Sequence, residues 1–337
     1  MTKTKKPSLK KILLTVIASI LAFVCILLLA VRCYFQLPVL SYYTASEKAF
    51  RIPDFNGGFI AQGICYDNAS DTFFVSGYMK DKSASPLYVV SETRRDYKKV
   101  ALHYGDGTPY TKHSGGVSVH GEYVYVVGGD EPHLYAFRYS DIMNAENGEK
   151  VFCVGDFYSA ISDTIEQRIS FTTATEQGIL AGKFYREQNY QSPESYNVET
   201  ADGVNHAIAA FYPYDASAPL GISSTPTAIY SLPDLVQGMA IEGNKIYLSC
   251  SYGLAFSHIY VHKIAASATT FADTGIPLYI LDSTTLSKDC KLPPMSEEIE
   301  IVDGKLYTMC ESASDKYVFG KFTSSYWCYA TDLSFFN

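Results

Sequence analysis

The chain has 337 residues, 47% hydrophobic and 18% charged, a composition that excludes a disordered protein. Its net charge of −8 is unevenly placed: Lys3, Lys5, Lys6, Lys10, Lys11 and Arg32 precede every acidic residue, and without them 21 Lys and Arg face 35 Asp and Glu. So acidic a remainder disfavours nucleic acid or an anionic surface as its partner.

Residues 1–11 read as a basic cytoplasmic tail. Residues 12–31, ILLTVIASILAFVCILLLAV, are 20 positions without a charge. At about 1.5 Å per residue they span the hydrocarbon of a bilayer. The lysines before the run predict a cytoplasmic N-terminus and an extracytoplasmic C-terminal bulk at the cell surface. The alternative is a cleaved signal peptide, but no small-x-small site follows the run. Residues 32–46 read as a stalk and residues 47–337 as one extracytoplasmic domain. Of eight cysteines, Cys25 and Cys33 fall in or beside the apolar run, and the other six are scattered without a CxxC pair. Disulfides and buried thiols are both compatible with that spacing.

The domain carries 28 Tyr and 19 Phe, which suit half-buried pleated surfaces. Five hairpin-like segments recur: QGICYDNASDTFFVSGYM from Gln62, GGVSVHGEYVYVVGG from Gly115, ISFTTATEQGILAGKF from Ile169, QGMAIEGNKIYLSCSYG from Gln237 and EEIEIVDGKLYTMCESA from Glu297. Third strands are expected in SPLYVVSE, HLYAFRYSD, HAIAAFYPYD, PLYILDS and YWCYATDL. Fourth strands are expected in DYKKVALHY, EKVFCVGDF, TAIYSLPDL and KDCKLPPM. Ile64, Val117, Phe171, Met239 and Ile299 hold equivalent places, at spacings of 53, 54, 68 and 60 residues. Four-stranded units at this period predict an all-β fold, a β-propeller of five blades preceded by one transmembrane helix. The last unit lacks a fourth strand. EKAFRIPDF, residues 47–55, resembles EKVFCVGDF and is expected to pair with the strand around Trp327 and close the ring. A sixth blade would have to lie in residues 186–206, which read instead as a polar insertion; residues 263–275 read as a shorter one.

In such a ring the residues opening the inner strands converge on one channel mouth. Here they are Gln62, His113, Arg168, Gln237, Glu297 and Glu298, with Glu311 at the end of a neighbouring strand. They form the candidate ligand-binding set, and Arg168 is expected to pair with Glu297 or Glu298. Tyr78, Lys183, Ser251 and Tyr252 flank them. His258 and His262 read as packing or surface groups. There is no HExxH, GxSxG or phosphate-binding glycine loop, so no metal, cofactor or catalytic residue is assigned.

The segments QGICYD, GGVSVHGEYVYV, QGMAIEGNKIYL and EEIEIVDGKLYT resemble the β-propellers of the broad gluconolactonase, regucalcin and strictosidine-synthase-like type, over roughly residues 47–337. The resemblance implies a site at the channel mouth and, often, a divalent cation held by a Glu that opens an inner strand; Glu297 or Glu298 matches that Glu. Two functions are therefore expected. One is a membrane-anchored surface module binding a small molecule, glycan or protein. The other is a hydrolase or lactonase using the mouth carboxylates, with or without a divalent cation.

Overall fold

The computed structural model describes residues 8–91, 93–264 and 269–337. The lysines before Ser8 and part of the shorter insertion, residues 265–268, lie outside them. Helix α1 (Leu9–Gln36) carries the apolar run and projects from the rest of the chain with every residue from Leu9 to Leu29 exposed. It is long and apolar enough to cross a membrane, and a signal sequence near the N-terminus has the same character.

Residues 32–46 do not form a free stalk. Phe35, Val39 and Tyr42 are buried, and α2 (Leu40–Ala45) lays Tyr42 against Tyr329 and Phe336. The Tyr42 hydroxyl hydrogen-bonds Thr308 Oγ1, and Gln36 Nε2 donates to Phe322 O at 3.1 Å. The segment LPVLSYYT is apolar where it meets the domain, and that is why it docks. Tyr42→Ala is expected to cost about 3–5 kcal/mol, the range for emptying a large buried aromatic site. The check is a urea titration of the full chain in detergent; a free stalk would show no change.

From there the chain is almost all β. β1 (Ser46–Arg51) leads into β2 (Phe59–Asp67), β3 (Thr72–Met79), β4 (Pro86–Val90) and β5 (Tyr97–His103), an antiparallel meander. β6 (Val117–His120), β7 (Tyr123–Val127) and β8 (His133–Arg138) follow, then α3 (Tyr139–Asn144) and β9 (Lys150–Tyr158), a second meander whose outer strand runs parallel to β5. After a small hairpin of β10 (Ala160–Ser162) and β11 (Ile165–Glu166) come β12 (Phe171–Ala174) and β13 (Gly178–Gly182).

Residues 186–206, expected to be a polar insertion, contain a hairpin of β14 (Val198–Thr200) and β15 (Gly203–Asn205). It turns at Asp202-Gly203, where Gly203 has φ +123°, a conformation costly for residues with a Cβ. Tyr196 beside it is fully buried and donates to Glu166 O at 2.8 Å. β16 (Ala207–Pro213) and β17 (Ala228–Leu232) complete the third meander.

The fourth meander corrects the sequence reading. β18 (Val236–Glu242) and β19 (Lys245–Cys250) are followed by β20 (Ser257–Lys263), SHIYVHK, as the third strand. The expected third strand PLYILDS instead forms β22 (Pro277–Ile280), paired with the short β21 (Thr269–Thr270) and added in parallel to β17 of the preceding sheet. β20 qualifies because Ser257, Ile259 and Val261 alternate inward, whereas His258 faces Asp289. His262 is buried and bonds Thr285. β23 (Leu286–Leu292) ends that sheet.

The last sheet orders β24 (Ser296–Val302), β25 (Lys305–Cys310), β26 (Trp327–Asp332) and β1. β1 pairs with β26 from Ser46↔Thr331 to Arg51↔Trp327, so the N-terminal strand supplies the outer edge of the C-terminal sheet. The inner strands β2, β6, β12, β18 and β24 each approach the next within 8 Å, and β24 returns to β2. The architecture is propeller-like around a narrow axis. Apolar cores lie between successive sheets, as with Phe50, Phe59, Phe73 and Tyr88 between the last and the first. All eight cysteines are free thiols.

Candidate functional site

The axis is occupied by Glu298. Its fully buried carboxylate accepts the backbone N–H of Ile64 (2.7 Å) and Val117 (3.2 Å) on Oε2 and of Thr172 (3.0 Å) on Oε1. One side chain thus ties β24 to β2, β6 and β12. The glycines opening the other inner strands make room for it: a Cβ on Gly63 would stand 2.9 Å, and on Gly116 2.7 Å, from its oxygens. Burial pushes its carboxyl pKa up and the three N–H donors pull it down. Glu298 is therefore a clamp beneath the mouth and not a mouth-lining group as expected.

Above it a cavity of about 490 Å³ opens, lined by Gln62, His113, Gln237, Glu297 and Glu311 among others. They converge because each stands on an inner strand, in the chain leading into one, or at the end of its neighbour. His113 Nε2 donates to Gln62 Oε1 at 2.5 Å, and Gln62 Nε2 donates to Glu311 Oε2 at 2.9 Å. Tyr317 donates to Glu311 Oε1 at 2.5 Å. Tyr78 stacks on His113 at 4.5 Å and hydrogen-bonds Lys316 through its hydroxyl. His113 keeps surface open to the cavity, but its depth lowers its pKa to about 4 and leaves the ring neutral near pH 7.

Glu297 differs from its neighbours. It is 4% exposed, lines the cavity, and its carboxylate hydrogen-bonds no described residue. Its pKa is raised, first by burial and then by the Glu311 carboxylate, with Lys316 opposing. Glu311 is raised by burial too, but Tyr317, Lys316 and Gln62 all favour its charged form. Tyr78, Tyr190, Tyr252, Tyr317 and Phe184 form the aromatic part of the wall.

Arg168 does not join this set. Its guanidinium lies 3.5 Å from Glu166 and 3.7 Å from Asp130, and its backbone N–H is taken by Tyr196. The expected pairing with Glu297 or Glu298 fails because Arg168 stands two residues short of the level of Gln62: Ile64 and Thr172 both give their N–H to Glu298, which sets Ser170 opposite Gln62. Ser170 lines the cavity instead. Lys183 is buried against Asp130 at 3.2 Å, whereas Ser251 and Tyr252 do line the mouth. Lys316 and Tyr317 went unrecognised because they sit in irregular chain between β25 and β26. The nearest available signal was the polar DKY after Glu311. At the other end of the axis a second cavity, about 700 Å³, contains Glu300, whose pKa burial raises to about 8. Among the described residues no three His, Cys, Asp or Glu side chains cluster as metal ligands do.

No protein-family model and no curated protein matches the chain. Among solved structures it is similar to the glutaminyl cyclase of Myxococcus xanthus, at 10% identity and a TM-score of 0.40 over 85% of this chain and 94% of that one. It is similar to an exo-β-1,3-galactanase of Phanerochaete chrysosporium, at 10% identity and 0.46 over 86% and 64%. It is also similar to BamB of Moraxella catarrhalis, at 8% and 0.31 over 81% and 83%. Similarities this distant decide neither activity nor ligand.

Proposed function

We propose that the chain is a single-pass membrane protein, N-terminus cytoplasmic, whose extracytoplasmic five-bladed propeller binds a small ligand carrying a positively charged amine at the channel mouth. The observation behind it is Glu297: a buried carboxylate without a partner is costly, and a ligand cation would relieve that cost. The surrounding tyrosine rings offer negative faces to the same cation. His113 is neutral at physiological pH, and Lys316 is the one cation among the residues lining the cavity, against the carboxyls of Glu297 and Glu311. The anchor reading is supported by the lysines before the apolar run and by the docking of residues 32–46 onto the domain.

The test is a thermal-shift and calorimetric titration of the full chain in detergent with tetramethylammonium and primary alkylamines, against neutral alcohols of the same shape. Saturable stabilisation by the amines alone is expected. Equal response to the alcohols, or none to either, would count against the reading.

A second reading is favoured by the unequal environments of Glu297 and Glu311. Burial and the Glu311 carboxylate raise the Glu297 pKa, whereas Tyr317, Lys316 and Gln62 favour the ionised form of Glu311, a division in the sense that a general acid and base require. In a hydrolase of this kind Glu297 would donate the proton and Glu311 would activate water. Turnover of chromogenic esters, lactones or glycosides that disappears in both Glu297→Gln and Glu311→Gln would establish it.

A further inference from the structure

We infer that the channel mouth is held against the bilayer surface by the end of α1 and two rim loops, residues 251–256 and 315–324. The inference rests on the anchor reading above. Both loops bear cavity-lining residues, Tyr252 on one and Lys316 and Tyr317 on the other. Both also touch the last turns of α1. The Tyr34 ring lies 6.0 Å from Phe256, and Gln36 Nε2 donates to Phe322 O at 3.1 Å.

The height of these contacts follows from helix geometry. The uncharged run ends at Val31, so Gln36 lies about 7 Å further along the axis at 1.5 Å per residue. The headgroup layer on each side of a bilayer is of that thickness, the difference between about 30 Å of hydrocarbon and 40–45 Å overall. Residues touching Gln36 therefore lie at headgroup depth if α1 stands near the membrane normal.

The side chains there have the chemistry of that layer. Val318 is 78% and Phe319 57% exposed, on the turn that receives Gln36; Leu37 and Leu40 are exposed beside it. In the other loop Tyr252 and Leu254 are partly exposed. Cations alternate with them: Arg186 covers the Tyr252 ring at 3.9 Å, Lys291 the Phe256 ring at 5.3 Å, and Lys316 the Tyr317 ring at 5.0 Å. Aromatic and aliphatic tips mixed with Lys and Arg suit a membrane interface containing anionic lipid. Three cations, Arg186, Lys291 and Lys316, thus stand at this rim of a domain that is acidic as a whole.

The test uses the full chain in nanodiscs of phosphatidylcholine and phosphatidylglycerol with brominated acyl chains, which quench nearby tryptophan. Trp327 is the one native tryptophan, so the background is Trp327→Phe. Probes are Phe319→Trp and Leu254→Trp on the two loops, with Gln177→Trp at the opposite mouth as control. Quenching of at least twofold is expected for the two loop probes and none for the control. Unquenched loop probes in a chain that has entered the disc, or equal quenching at all three positions, would overturn the inference while leaving the anchor reading intact. A chain that stays outside the discs removes the anchor reading itself and this inference with it. Amine binding in detergent reads out the ligand site independently of both.

Discussion

Glu298→Ala is expected to destabilise the domain by about 4–6 kcal/mol, because it strands three buried N–H groups at roughly 1–3 kcal/mol each. Against a typical total of about 5–15 kcal/mol, that is a large fraction of the stability. The three donors, on Ile64, Val117 and Thr172, belong to inner strands of three different sheets. Losing their shared acceptor loosens the axis and not one sheet. Glu298→Gln keeps the shape and one acceptor oxygen, but turns an NH₂ towards a backbone donor; about 1–3 kcal/mol is expected. Urea midpoints of the two variants and the parent, in one detergent, give the comparison. An alanine variant within 1 kcal/mol of the parent would show that water replaces the carboxylate and that Glu298 is no clamp. Gly63→Ala should also be destabilising, since its Cβ would meet Glu298 and the Ser76 hydroxyl.

The hairpins of this fold were readable because each pairs a β-branched or aromatic strand with a glycine turn, as in IEGNKIYL and IVDGKLYT. Ring closure was readable from the likeness of residues 47–55 to residues 149–157, and β1 does pair with β26. Three features were not readable, each for a physical reason. β20 carries two histidines and follows a glycine-containing break, so PLYILDS looked the better strand; only the sheet surface available to each decides between them. Arg168 has the charge but not the register of a mouth residue, and a two-residue offset from Ser170 keeps it out of the mouth. The role of Glu298 depends on three N–H groups far apart in sequence meeting at one point. Yet a trace of it was visible: where the other hairpins open with Gln-Gly, Gly-Gly or Ile-Ser, the last opens with Glu-Glu. The only bulky residue among small ones at that position is the one that fills the axis.

Glu297 carries the second large effect, and here stability and binding should move in opposite directions with pH. The folded-state pKa of Glu297 is raised by burial and by Glu311, against the pull of Lys316, with Glu298 adding to the rise. A carboxyl raised on folding holds its proton where the unfolded chain has lost it. Its contribution to stability is then complete below the unfolded value, about 4.3, and declines as pH climbs through the folded value. A cationic ligand needs the ionised form, so affinity should rise over that same interval and binding should release a proton. His113 and Glu311 also face the cavity, the first lowered and the second raised by burial, so the parent's profile alone does not isolate Glu297. The difference between the parent and Glu297→Gln does. The variant should match the parent's stability near pH 4.5, exceed it at pH 8, and bind tetramethylammonium about 10- to 100-fold more weakly at pH 8, a loss of roughly 1.4–2.8 kcal/mol. Denaturation midpoints and calorimetric titrations in two buffers of different ionisation enthalpy measure all three quantities. If the variant is less stable than the parent at pH 8, Glu297 has a partner inside the protein, and the argument that its charge awaits a ligand falls.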